Sequence, residues 1–387
     1  MKSDKAAART EGITPFIVME IMEKIYEMEA AGIDVVHMEI GEPDFNPPKC
    51  VKQAVAEAFE NHNTDYTHSL GDIRLRREIS TYYKENYSVD VDPGQVLVTS
   101  GTSPAMFLLF STLVNPGDEV IISDPHYACY PNFIRFSNGI VVNIPVYEED
   151  GFQYTPRAIK DKITEKTKAI LINSPSNPTG NLMSENRMKE ISDIAASKDI
   201  YIISDEIYHG LVYKGKEHSI LEFTDDAFVL NGFSKLFAMT GLRLGYLIAP
   251  KEFMRPLQVL QQNFFISANS VMQAAGTAAL QCGKKETEEM RTIYNQRRKY
   301  MVQRLKKMGL GISVEPTGAF YIFANIKHIS TDSYALALDI LENAHVGVAP
   351  GIDFGANGEG YLRFSYANSI ENLEKGLDRL ERYLNRQ

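Results

Sequence analysis

The chain has 387 residues, 44% of them hydrophobic and 23% charged, which is material for a large core and the length of two or three domains. A formal net charge of −10 without a basic block argues against nucleic acid or an anionic membrane surface as a partner. No apolar run nears the roughly 20 residues of a membrane span. The polar start (Lys2, Asp4, Lys5, Arg9) lacks an apolar signal core, and the widely spaced Cys50, Cys129 and Cys282 form no metal-ligand pattern and suit free thiols in a reducing cytoplasm.

Residues 14–31 read as an amphipathic helix, with Phe16, Met19, Met22, Ile25, Tyr26 and Met28 at near-helical spacing and Gly32 ending it. A short strand at 35–40 precedes the turn cluster Gly41-Glu42-Pro43-Asp44-Phe45, which links an N-terminal arm to the main domain. From 49 to 280, helices near 49–60, 71–86, 103–114, 184–198 and 251–280 alternate with strands near 96–99, 119–123, 140–146, 169–174, 200–205, 228–233 and 245–249. Several strands are continuous apolar runs, such as Ala169-Ile170-Leu171-Ile172, which suit burial on both faces. The alternation predicts an α/β domain of three layers with a mostly parallel sheet. The last third reads as helix 283–308, strand 319–326, helix 331–344, strand 361–367 and helix 369–386, with Asn368 and Ser369 as candidate caps. Without strict alternation it suggests a smaller α+β domain. The expected division is a large domain over 46–282 and a small domain made of 1–45 and 283–387.

Ligands of open α/β sheets bind outside the carboxyl ends of the strands, so polar residues there carry the functional signal. Ser100-Gly101-Thr102-Ser103 enters an apolar helix, and free N–H groups, a helix dipole and hydroxyls at such an end suit a phosphate. Asn177 sits in the breaker-dense loop Asn173-Ser174-Pro175-Ser176-Asn177-Pro178-Thr179-Gly180. Asp205 ends an apolar strand, so its carboxylate is expected to be partly buried and to need a partner. Lys235 falls between Phe233 and Phe237, and a lysine in a partly apolar pocket can shed its proton and attack a carbonyl. Arg243, eight residues on, offers a planar fork that fits a phosphate. Each alone reads as a cap, a turn, a structural ion pair or a solvated side chain. Four such groups at successive strand ends of one sheet favour a shared ligand with a phosphate, a ring that needs a carboxylate, a polar ring substituent and a carbonyl. Pyridoxal phosphate has those parts.

These landmarks, with Asp65-Tyr66-Thr67, Asp205-Glu206-Ile207-Tyr208, Gly241-Leu242-Arg243-Leu244-Gly245 and Leu362-Arg363-Phe364-Ser365, follow one another as in a known family. Over nearly its whole length the chain resembles the fold-type-I, class I/II aminotransferases of the aspartate aminotransferase superfamily. The resemblance implies pyridoxal 5'-phosphate as cofactor, captured covalently by Lys235, which then moves the substrate proton. It implies Asp205 beside the pyridinium nitrogen, Asn177 and Tyr208 on the ring's phenolic oxygen, and Ser234, Arg243 and the Gly101-Thr102-Ser103 turn on the phosphate. Tyr127 would lie over the ring, where many aspartate-specific members carry tryptophan; this chain has no Trp. Tyr66 would reach the phosphate of a neighbouring subunit, implying a homodimer with shared sites. Arg363 would clamp the substrate α-carboxylate, helped by Gly41 and Asn177.

The expected activity is transfer of an amino group between an L-amino acid, aspartate or alanine in the first place, and a 2-oxo acid such as 2-oxoglutarate. A C–S lyase of the same fold would share Lys235, Asp205 and Arg363. A non-catalytic regulator would carry a basic DNA-binding extension, and none is visible in the sequence. Arg9 is a guess for the group that would grip a side-chain carboxylate.

Overall fold

The computed structural model describes residues 7–386, so Lys2, Asp4 and Lys5 of the polar start lie outside the described residues. A seven-stranded sheet forms the centre. Its strands are β2 (Val96–Thr99), β3 (Glu119–Asp124), β4 (Ile140–Pro145), β5 (Thr167–Asn173), β6 (Tyr201–Asp205), β7 (Ala227–Gly232) and β8 (Gly245–Ile248), following the short β1 (Val36–His37). The order is β2-β8-β7-β6-β5-β3-β4. Strand β8 alone runs opposite to the other six, so the sheet is mostly parallel as the alternation predicts.

Side chains alternate between two buried faces, the period-two rule of a pleated strand. Val98, Ile121, Ile170, Ile172 and Val229 enter one core with α3 (Ile73–Tyr87), α7 (Glu185–Ala196) and α9 (Ser270–Cys282). Leu97, Val120, Ile122, Leu171 and Phe228 enter the other with α4 (Thr102–Leu113), α5 (Tyr130–Phe136) and α8 (Lys251–Phe264). These are the three layers. Only β4, at the edge, is largely uncovered.

A third core joins α1 (Ile17–Ala30) to the C-terminal elements α10 (Lys284–Lys307), β9 (Tyr321–Asn325), α11 (Ser333–Ala344), β10 (Val346–Gly347), β12 (Tyr361–Ser365) and α12 (Ile370–Leu384), and a smaller cluster adds β11 (Ala349–Pro350). Strands β11, β12 and β9 form an antiparallel sheet, and β1 pairs in parallel with β10. Ser369 caps α12 by accepting from the Asn372 N–H. Asn368 instead donates to the His37 carbonyl and ties this helix to β1.

Three expectations change. The helix read over 251–280 is two helices, because Ile266 adopts φ 65 and Asn269 caps a new start by accepting from the Met272 N–H. The strand read over 35–40 shortens to Val36–His37, where its partner β10 is only two residues long. Helices α5 and α6 (Pro156–Lys162) were not expected; at seven residues each they are too short to show a helical period. Among the described residues no helix is long and apolar enough to cross a membrane.

Candidate active site

A cavity of about 350 Å³ opens at the carboxyl ends of β5, β6 and β7, between the central sheet and the C-terminal elements. Parallel strands end there with their following loops pointing the same way, which gathers residues distant in sequence. Of the thirteen residues singled out from the sequence, all but Gly101 and Tyr66 line it.

Asp205 ends β6 and is 3% exposed. Its Oδ2 accepts from the Tyr130 hydroxyl at 2.6 Å and its Oδ1 from the Ile207 N–H at 3.1 Å. Burial raises its pKa to about 6, against the lowering effect of those two donors. Lys235 lies in the turn after β7, and its Nζ donates to the Gly41 carbonyl at 2.7 Å. Burial pulls the ammonium down to about 8. A lysine in that state is a nucleophile near neutral pH.

The turn that presents Lys235 bends through two left-handed non-glycine residues, Ala238 at φ 52 and Arg243 at φ 54, a conformation costing roughly 1–2 kcal/mol each. This backbone sets the Arg243 guanidinium against Gly101, where Nη1 donates to the Thr240 carbonyl at 2.8 Å. Gly101 itself has φ +94, and a Cβ there would lie 2.6 Å from Arg243 Nη2. The torsion therefore favours glycine at this position, with the guanidinium packed directly against it. Gly101 backs the arginine rather than lining the cavity. Thr102 and Ser103 open the first turn of α4 into the cavity, and no side chain caps that helix end. Free N–H groups, two hydroxyls and a guanidinium make an anion receptor. Ser234 adds a hydroxyl-bearing residue to the same lining.

Arg363 projects from β12 and is 3% exposed. Its Nη1 donates to Asn177 Oδ1 at 2.9 Å and its Nη2 to the Glu39 carbonyl. Its guanidinium carbon lies 4.4 Å from the Tyr321 ring centre and 4.7 Å from that of Phe354. Its Nε is buried and has no hydrogen-bond partner. Asn177 is fixed by its own N–H, which donates to Asn173 Oδ1 at 2.8 Å. The Tyr208 hydroxyl lies 2.8 Å from that of Tyr321. Gly41 meets the same Tyr321 hydroxyl so closely that a Cβ would collide with it.

Tyr66 stands apart, 81% exposed, beside Asp65, Arg74 and Ser270 on a separate surface depression. Arg9 is exposed, with its guanidinium carbon 6.0 Å from the Phe136 ring centre, and is not among the cavity lining. The sequence reading missed Tyr130 and Tyr321, and it missed that Phe16, Val18, Met19 and Met22 wall the cavity. Tyr321 leaves a signal, a hydroxyl within the apolar run Ala319-Phe320-Tyr321-Ile322-Phe323.

The class of protein that this architecture defines is a transaminase on a mostly parallel α/β sheet. Residues 33–380 match the family model for aminotransferases of class I and II, and the chain belongs to that family. It is 41% identical to the (5-formylfuran-3-yl)methyl phosphate transaminase of Methanocaldococcus jannaschii, over 96% of this chain and 97% of that protein. It is 40% identical to an aspartate aminotransferase of Pyrococcus horikoshii, over 95% of this chain and 94% of the other. The solved aspartate aminotransferase of Thermus thermophilus with maleate superposes with a TM-score of 0.94 at 34% identity, covering 97% of this chain and 99% of that one.

Proposed function

We propose that the chain is a pyridoxal-phosphate-dependent transaminase exchanging an amino group between an L-amino acid and a 2-oxo acid such as 2-oxoglutarate. The observation that carries this reading is the shared cavity: a half-buried lysine with its pKa lowered, a buried aspartate and an anion-receiving helix end all face one space.

The residues fit the cofactor. Asp205 is a buried carboxylate held by a hydroxyl and an N–H, and a pyridinium N–H would favour its charged form. The α4 end, Ser234 and Arg243 suit the phosphate, and Tyr66 would serve the cavity of a second copy in a homodimer. When bound, the cofactor supplies an electron sink for breaking the bond between the substrate's α-carbon and its hydrogen. Lys235, as a neutral amine, would hold the cofactor through its carbonyl and would take up and return the α-proton. Asn177 and Tyr208 would hold the ring oxygen, and Tyr127 would cover the ring. Arg363, with its unpartnered Nε and a fork already oriented by Asn177 and Glu39, receives the α-carboxylate beside Gly41. Three free cysteines fit a cytoplasmic setting.

The test is spectroscopic. After loading with pyridoxal phosphate and removal of unbound cofactor, the purified protein stays yellow with an aldimine band that Lys235→Ala lacks, and amino acids bleach the wild type without releasing ammonia. A colourless wild type sinks the reading. Ammonia and pyruvate from cystathionine would mark a lyase.

A further inference from the structure

The lining of the cavity divides by chemistry. Among the described residues its cations are Lys235, Arg243 and Arg363, and the proposed function engages all three with cofactor or α-carboxylate. A second part of the wall is apolar and comes from the N-terminal arm: Phe16, Val18, Met19 and Met22, continued by Ile40 and Tyr127.

The arm is pinned on both sides of Phe16. Before it, Thr14 and Asn132 exchange hydrogen bonds: Thr14 N–H donates to Asn132 Oδ1 at 3.1 Å, and Asn132 Nδ2 donates to the Thr14 carbonyl at 3.1 Å. After it, Ile17 and Val18 donate their N–H groups to the two oxygens of Asp353, at 2.9 and 3.2 Å. The Phe16 ring stands edge-on to Tyr127, with centres 6.1 Å apart. Met19 remains 46% exposed, at the margin of the wall.

We infer that this arm is the side-chain subsite of the enzyme and selects amino acids with apolar or aromatic side chains over aspartate. Phe16, Met19, Met22 and Tyr127 are its specificity-determining residues. A side-chain carboxylate placed there would lose water and gain no cation from this wall. An aromatic or long aliphatic side chain would exchange water for the Phe16 and Tyr127 rings and the pliable methionines. The inference departs from the expected preference for aspartate or alanine, and it rests on the transaminase reading above.

The experiment uses the full chain loaded with pyridoxal phosphate and follows the cofactor spectrum during the half-reaction with phenylalanine, leucine and aspartate. The expected kcat/KM for phenylalanine exceeds that for aspartate by about tenfold or more. Met19→Lys places a cation at the margin of the wall and should move the phenylalanine-to-aspartate ratio toward aspartate by about tenfold. Phe16→Ala should lower the same ratio. A wild type that prefers aspartate overturns the inference, since a cation must then reach the cavity from outside this chain. A ratio unmoved by both variants also overturns it. A spectrum that no amino acid changes would refute the transaminase reading itself, which the bleaching experiment registers independently of any preference.

Discussion

His37 gives the fold a dependence on pH whose sign follows from its partners. Its Nδ1 lies 2.7 Å from Glu39 Oε1 and its Nε2 lies 3.1 Å from Glu29 Oε1. Glu39 is fully buried, and its second oxygen accepts from the Met38 N–H at 3.0 Å. The hydrogen bond to Glu39, opposed by burial and aided by Glu29, holds the imidazolium at about 9, against an ordinary 6.5. A group whose pKa is raised by folding stabilises most below its unfolded pKa, and the contribution fades as pH rises through the folded value. It is therefore complete below pH 6.5 and lost as pH passes 9. At about 1.4 kcal/mol per tenfold change in proton affinity, the full effect is about 3 kcal/mol. The side chain is 28% exposed, so water screens only part of it.

The assay is urea unfolding of wild type and His37→Gln, followed by circular dichroism at several pH values between 6 and 10. Titrations common to both proteins cancel in the difference. The advantage of wild type should shrink by about 3 kcal/mol across that range. A difference that is constant, or that grows with pH, refutes the pairing. The consequence reaches the active site, because the backbone of Glu39 also supplies the carbonyl that holds Arg363.

Two further outcomes follow from the same geometry. Burial places the Lys235 ammonium at about 8, so the neutral, nucleophilic form grows as pH rises through that value. Covalent capture of pyridoxal phosphate, followed by stopped-flow absorbance, should accelerate with a midpoint there, and a midpoint at the ordinary 10.5 would refute the burial argument. Arg363→Ala should raise the KM for the amino acid by about 30-fold or more, from the 2–5 kcal/mol typical of a buried charge partner. Cofactor affinity, measured by fluorescence titration, should change far less; parallel losses would make Arg363 a structural residue.

The sheet was legible because a strand buried on both faces must be apolar throughout, as Ile170–Ile172 and Ile202–Ile203 are. Its strand ends were legible for a related reason: a lysine, an aspartate or a hydroxyl directly after such a run breaks a local rule. The break between α8 and α9 was hidden because both helices are amphipathic and their separation rests on the left-handed Ile266, a residue that rarely adopts that conformation. Tyr130 and Tyr321 were hidden because they reach the cavity by tertiary packing, one from a seven-residue helix and one from an apolar strand.

The arm shows the limit of periodicity most directly. Phe16, Met19 and Met22 have the spacing of a helix face that packs on a core, and Met22 does belong to a buried cluster. A cavity wall has the same spacing, because the pattern records which side of a helix avoids water and says nothing about what meets it there. The hydrogen bonds of Thr14 to Asn132 and of Asp353 to the start of α1, across 118 and 335–336 residues of chain, help to hold that face toward the cavity. On the inference above, side-chain preference would rest on residues whose sequence pattern is that of ordinary packing. The chemistry is decided by residues that violate such patterns, which is why the reaction class could be read before the substrate.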